Sequence, residues 1–119
     1  MQRLIVIFSL TFCLTAEAQT YKEAEAAMEA LAHMKDQRSV EFITAQGKAV
    51  NDVWQLTGPC FKLGVEDRTS LIISVSENGR VNNVWANKVH AKAECLKAIV
   101  SSGQFPTPPY YPYYLKVIM

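Results

Sequence analysis

The stretch Thr69 to Val81, TSLIISVSENGRV, constrains this chain more than any other. Leu71, Ile73 and Val75 fall on one side of it and Ile72 with the serines on the other. That is the two-residue period of a strand, in which successive side chains point to opposite faces. Asn78-Gly79 follows, a dipeptide suited to a type I′ turn because both central residues of such a turn take positive φ. A returning strand from Val81 to about Val89 is therefore expected, and with it an antiparallel pair. Its apolar residues do not keep one period: Val81, Trp85 and Val89 alternate with Val84 and Ala86. A bulge near Asn82-Asn83, or burial on both faces, would accommodate that.

The flanking segments are helical until the tail. Ala93, Leu96, Ile99 and Val100 form an apolar stripe, with Cys95 beside it, in a helix expected from Ala91 to Ser102. Gly103 takes its C′ position, and Pro106, Pro108 and Pro109 then hold the chain in a stiff polyproline-like path. Tyr110 to Met119 is rich in β-formers, but proline cannot lie within a central strand. The last strand is thus placed at Tyr113–Met119, at a sheet edge, with Pro112 at or before its start. Upstream, Thr20-Tyr21-Lys22-Glu23 is a capping box, and Ala24, Ala27, Met28, Leu31 and Met34 mark one helical face to about Arg38. A second helix is expected from Ser39 to Leu56 on Phe42, Ile43, Ala49, Val50, Val53 and Trp54, with a candidate bend at Gly47 and a stop at Thr57-Gly58-Pro59. Trp54 is read as a core anchor from the area an indole buries. The fold class expected is α+β: a helical lead-in over 20–57, then a β-β-α-β core over 60–119 with a three-stranded antiparallel sheet.

The amino terminus points to export. MQRLIVIFSLTFCLTAEAQ has a basic residue, an apolar run and an Ala16-Glu17-Ala18 cleavage pattern. The run of about 12 residues makes about 18 Å of helix against a hydrocarbon core of about 30 Å, so a cleaved signal peptide over 1–18 is expected in place of an anchor. The mature chain, 19–119, is then one domain without a membrane span. Cys13 leaves with the signal, and Cys60 with Cys95 remain as an even pair in an exported chain, which implies a disulfide. Two buried thiols and a metal site are the alternatives, and neither His33 nor His90 lies at ligand spacing from a cysteine.

Charge excludes little and suggests less. Twelve Lys and Arg stand against eleven Asp and Glu, a formal net charge of +1, and loss of Arg3 and Glu17 leaves that balance unchanged. No basic face for nucleic acid is visible, and no glycosylation sequon occurs. No nucleophile–base pair, carboxylate pair or metal motif appears either, so the expectation is a protein that is not an enzyme and takes no cofactor. Glu66-Asp67 reads as a solvated turn, and His33 as a surface residue.

SLIISVSENGRV, then AECLKAIVSSGQFPTPP, then a final strand resembles the C-terminal domains of the TonB and TolA envelope proteins in order and spacing. The likeness covers roughly residues 60 to 119, and the positions of Cys60 and Cys95 are similar to the TolA cysteine pair. Those proteins carry a permanent anchor and a long linker, whereas a free domain after a cleaved leader is expected here. The resemblance implies a periplasmic protein-binding module whose last strand accepts an extended segment of an envelope or periplasmic protein by strand addition. Tyr113, Tyr114, Leu115, Val117 and Ile118 would form that edge, with Tyr110 and Tyr111 at its entry. Pairing of two such edges would give a homodimer. A proline at Leu115 is expected to remove an edge donor. A small inhibitor or immunity-type protein that blocks a toxin or enzyme is the other reading of the same disulfide-locked shape.

Overall fold

The computed structural model describes residues 18–64 and 67–119. The proposed signal peptide, with Cys13, lies outside them, as does Glu66, although Ala18 and the residues after its expected cleavage site lie within. Helix α1 spans Tyr21–Ala30 and is followed by a 3₁₀-helix, Ala32–Gln37. Then come α2 (Val40–Trp54), the short α3 (Gly58–Phe61), β1 (Ser70–Val75), β2 (Val81–Ala86), α4 (Ala91–Ser101) and β3 (Tyr113–Ile118). The three strands form one antiparallel sheet in the order β2-β1-β3. The expected α+β class, with its β-β-α-β core and three-stranded sheet, is what the chain adopts.

Local signals account for the element ends. The Thr20 hydroxyl accepts from the Glu23 amide at 3.1 Å, and the Glu23 carboxylate accepts in turn from the Thr20 amide at 3.0 Å, so two otherwise orphaned donors are satisfied. Ser39 caps α2 by accepting from the Phe42 amide at 3.0 Å. His90 caps α4 through Nδ1, which accepts from the Ala93 amide at 3.0 Å. Helix α1 stops earlier than its apolar spacing predicts, since the residues to Gln37 tighten into the 3₁₀ form. Helix α2 runs through Gly47 without interruption.

The sheet is covered on both faces. Leu71, Ile73 and Val75 meet Leu96 and Val100 of α4 and Phe42, Ala49 and Val53 of α2 in the larger core. Ile72, on the opposite face, packs with Trp85 and Ala24 of α1. The mixed pattern of β2 resolves into a bulge: Ser74 pairs with Asn83 but Val75 with Val81, which leaves Asn82 as the extra residue. The slip returns Val81 to the face of Val84, where both meet the larger core.

The hairpin turn differs from the expected type I′. Asn78 keeps a negative φ, and Gly79 alone is left-handed at φ 84°. The Gly79 amide donates to the Ser76 carbonyl at 2.9 Å and the Ser76 amide to the Arg80 carbonyl at 2.8 Å, the three-residue loop in which a type I turn ends on a left-handed glycine. Tertiary contact favours this form, because the Phe105 amide donates to the Gly79 carbonyl at 2.9 Å and a Cβ on Gly79 would stand 2.0 Å from the Phe105 oxygen. Gly103 also differs from expectation. Its φ is not positive, and its smallness serves close packing, since a Cβ there would sit 3.0 Å from Val53 Cγ2.

Cys60 of α3 and Cys95 of α4 form a disulfide with Cα atoms 5.5 Å apart. It ties the segment entering β1 to the helix behind it. Trp54 does not anchor the core: it is 46% exposed and lies against Phe61, ring centroids 5.3 Å apart. The four-residue offsets from Phe42 and Ala49 turn Gln46 and Val53 inward, and Trp54 sits one position past that line.

Candidate functional site: the outer edge of β3

β3 is an edge strand, and its ladder to β1 decides what each of its residues can do. Thr69 and Met119 exchange both backbone hydrogen bonds, each at 2.8 Å. In an antiparallel pair such exchanges recur at every second residue. With Val117 opposite Leu71, Leu115 opposite Ile73 and Tyr113 opposite Val75, the amides and carbonyls of Tyr113, Leu115 and Val117 are committed to β1. Those of Tyr114, Lys116 and Ile118 turn outward. Among the described residues, no backbone bond outside the β1 ladder involves Lys116 or Ile118.

This parity sorts the residues named from the sequence. Tyr113 is buried at 2% exposure, and Leu115 and Val117 are half-buried against the larger core. Tyr114 packs on the other face, its ring 6.3 Å from that of Trp85. Ile118 is exposed. Tyr111 stands apart at the hairpin end, where its hydroxyl accepts from Asn82 Nδ2 at 3.3 Å. A proline at Leu115 would therefore break the ladder to β1 and leave the outer edge intact, contrary to the sequence expectation. The outward donor belongs to Lys116.

Lys116 had no role in the sequence reading. A lysine on an edge strand commonly discourages pairing with other chains. Here its ammonium is drawn aside to Glu25 of α1, Nζ to Oε2 3.3 Å. Hydrogen bonding to Glu25, and then the neighbouring Tyr21, hold the Lys116 pKa above its ordinary value. The guard charge is thus held on the α1 side of the sheet.

A groove of about 250 Å³ runs beside this edge. Met28 of α1, Leu31 just past its end, Lys35 of the 3₁₀-helix and Arg38 beyond it form one wall, and the strand with Tyr110 forms the other. The topology explains the wall. Because α1 covers one face of the sheet and α2 the other, the segment joining them passes around β3. Burial raises the Tyr113 and Tyr110 pKa values, and the Arg38 charge opposes both shifts. The Tyr113 hydroxyl donates to Gln46 Oε1 of α2, which fixes the strand's first residue.

A second feature supports the far end of β3. Lys92 of α4 is 2% exposed, and its ammonium donates to the Asp67 carbonyl at 2.6 Å and the Met119 carbonyl at 3.2 Å while lying 4.8 Å from the centre of the Phe61 ring. Nothing in the sequence distinguishes Lys92 from a surface helix lysine. Only the packing of three segments around it gives it carbonyl partners.

Among the described residues no group of three or more His, Cys, Asp or Glu is placed to hold a metal ion. Within the same residues no helix is long and apolar enough to cross a membrane. No protein-family model matches the chain, and no curated protein or solved structure shows significant similarity to it.

Proposed function

We propose that the chain is an exported protein-binding module, similar in plan to the TonB and TolA C-terminal domains, that takes an extended segment of a periplasmic partner as a fourth strand along β3. The observation that carries this reading is the outward row of backbone groups at Lys116 and Ile118, which among the described residues have no backbone partner outside the β1 ladder. Main-chain hydrogen bonds would supply affinity, and the groove side chains would select the segment. The cystine and the Lys92 contacts hold the end of the sheet where β1 begins and β3 finishes, and the Tyr113–Gln46 hydrogen bond holds the start of β3, so little ordering is needed on binding. The signal sequence and the disulfide both suit an oxidising compartment outside the cytoplasm.

The test compares wild type, Lys116→Ala and Lys116→Pro as baits in periplasmic extract. The alanine variant keeps the outward amide and is expected to retain the partner, whereas the proline variant lacks that donor and loses it. Equal recovery of the same partner by Lys116→Pro, with its fold intact by circular dichroism, would sink strand addition at this edge.

A further inference from the structure

The groove beside β3 is electrically unbalanced. Three cations approach it, Lys35, Arg38 and Lys116, and among the described residues only Lys116 has a carboxylate, Glu25 at 3.3 Å. Among the described residues neither Lys35 nor Arg38 enters an ion pair. Arg38 is partly buried and oriented: its Nε donates to the Lys35 carbonyl at 3.3 Å, and its guanidinium lies near the Tyr113 hydroxyl. A guanidinium carries five N–H donors in a planar fork suited to a carboxylate, so donors remain to be used.

We propose that the segment taken up along β3 carries an aspartate or glutamate side chain that is received by Arg38 and Lys35. The inference rests on strand addition along β3 and adds the chemistry that selects the strand. A purely apolar segment would cover Arg38 and remove its water without supplying a counter-charge, which is costly. A second copy of this chain would bring its own Lys35, Arg38 and Lys116 to the same groove, and like charges in apposition oppose association. A carboxylate meets the oriented fork and neutralises the excess. Tyr110 and Tyr113 beside it lower the local dielectric, which strengthens the pair.

Fluorescence anisotropy with two labelled peptides tests this. One alternates threonine and valine with glutamates replacing the central threonines, and its counterpart has glutamines there. Wild type is expected to bind the glutamate peptide at least about tenfold more tightly, the range of charge-assisted hydrogen bonds, and added salt should narrow the gap. The Arg38→Gln, Lys35→Gln double variant should lose the preference, Arg38→Lys should keep part of it, and Lys116→Pro should bind neither peptide. Equal binding of both peptides by wild type, abolished in Lys116→Pro, overturns the carboxylate inference and leaves strand addition standing. A preference that persists undiminished in Lys116→Pro overturns strand addition, and binding of neither peptide by wild type overturns both. A dimer in sedimentation velocity that the glutamate peptide fails to dissociate assigns the groove to a second copy and overturns the proposal.

Discussion

Tyr113 joins three parts of the molecule through one side chain. Its ring meets Phe42 edge-on at 5.4 Å and Tyr110 at 5.1 Å, and its hydroxyl bonds Gln46. Gln46 occupies what would otherwise be a position in the apolar stripe of α2, and it is buried there. The sequence shows it only as a gap in the stripe, because its partner lies 67 residues away. Burial raises the Tyr113 pKa above 10.0. An unfolded tyrosine ionises near pH 10, so the folded state holds its proton longer. The contribution is therefore complete below about pH 10 and is lost as pH rises through the folded value. Urea unfolding followed from about pH 9 to about 11 should show wild type losing stability more steeply than Tyr113→Phe. Parallel slopes in the two proteins would refute this account of Tyr113.

At the level of elements, local chemistry and long-range demand can be separated. The capping box, the strand alternation, the β2 bulge and the start of β3 after Pro112 were legible because each depends on neighbours in sequence. The 3₁₀ segment was not. Leu31 and Met34 continue a helical period, yet the chain must pass around the sheet between α1 and α2, and a 3₁₀-helix rises about 2.0 Å per residue against about 1.5 Å in an α-helix. The parity of β3 was equally hidden, since alternation gives the faces of side chains and only pairing gives the direction of amides. It yields a sharp contrast in stability. Leu115→Pro removes a ladder donor and should cost about 2 to 4 kcal/mol, whereas Lys116→Pro should stay within about 1 kcal/mol of wild type. Denaturant midpoints of the two variants decide the matter, and the reverse order would show that the register has been misassigned.

For the whole molecule, the disulfide and the two-sided sheet set the mechanical frame. Cys60 and Cys95 are 35 residues apart, and closing such a loop restricts the unfolded chain by about 3 to 4 kcal/mol in the chain-entropy model. The Cys60→Ala, Cys95→Ala protein should unfold at correspondingly lower denaturant, and a loss below about 1 kcal/mol would show that the cystine contributes little to the frame. The same frame leaves Trp54, Leu56, Phe61 and Leu63 exposed near the cystine, a grouping that the apolar period of α2 could not reveal. Sequence by itself determined the three strands, the three longer helices, the presence of the hairpin, the cysteine pair and the edge position of the last strand, because these follow from period and turn chemistry within short windows. Tertiary structure alone decided which β3 amides face outward, where Lys92 finds its carbonyls, and how Lys35 and Arg38 come to flank the strand. Those outcomes depend on contacts between distant segments, and no local periodicity encodes which residues will meet there.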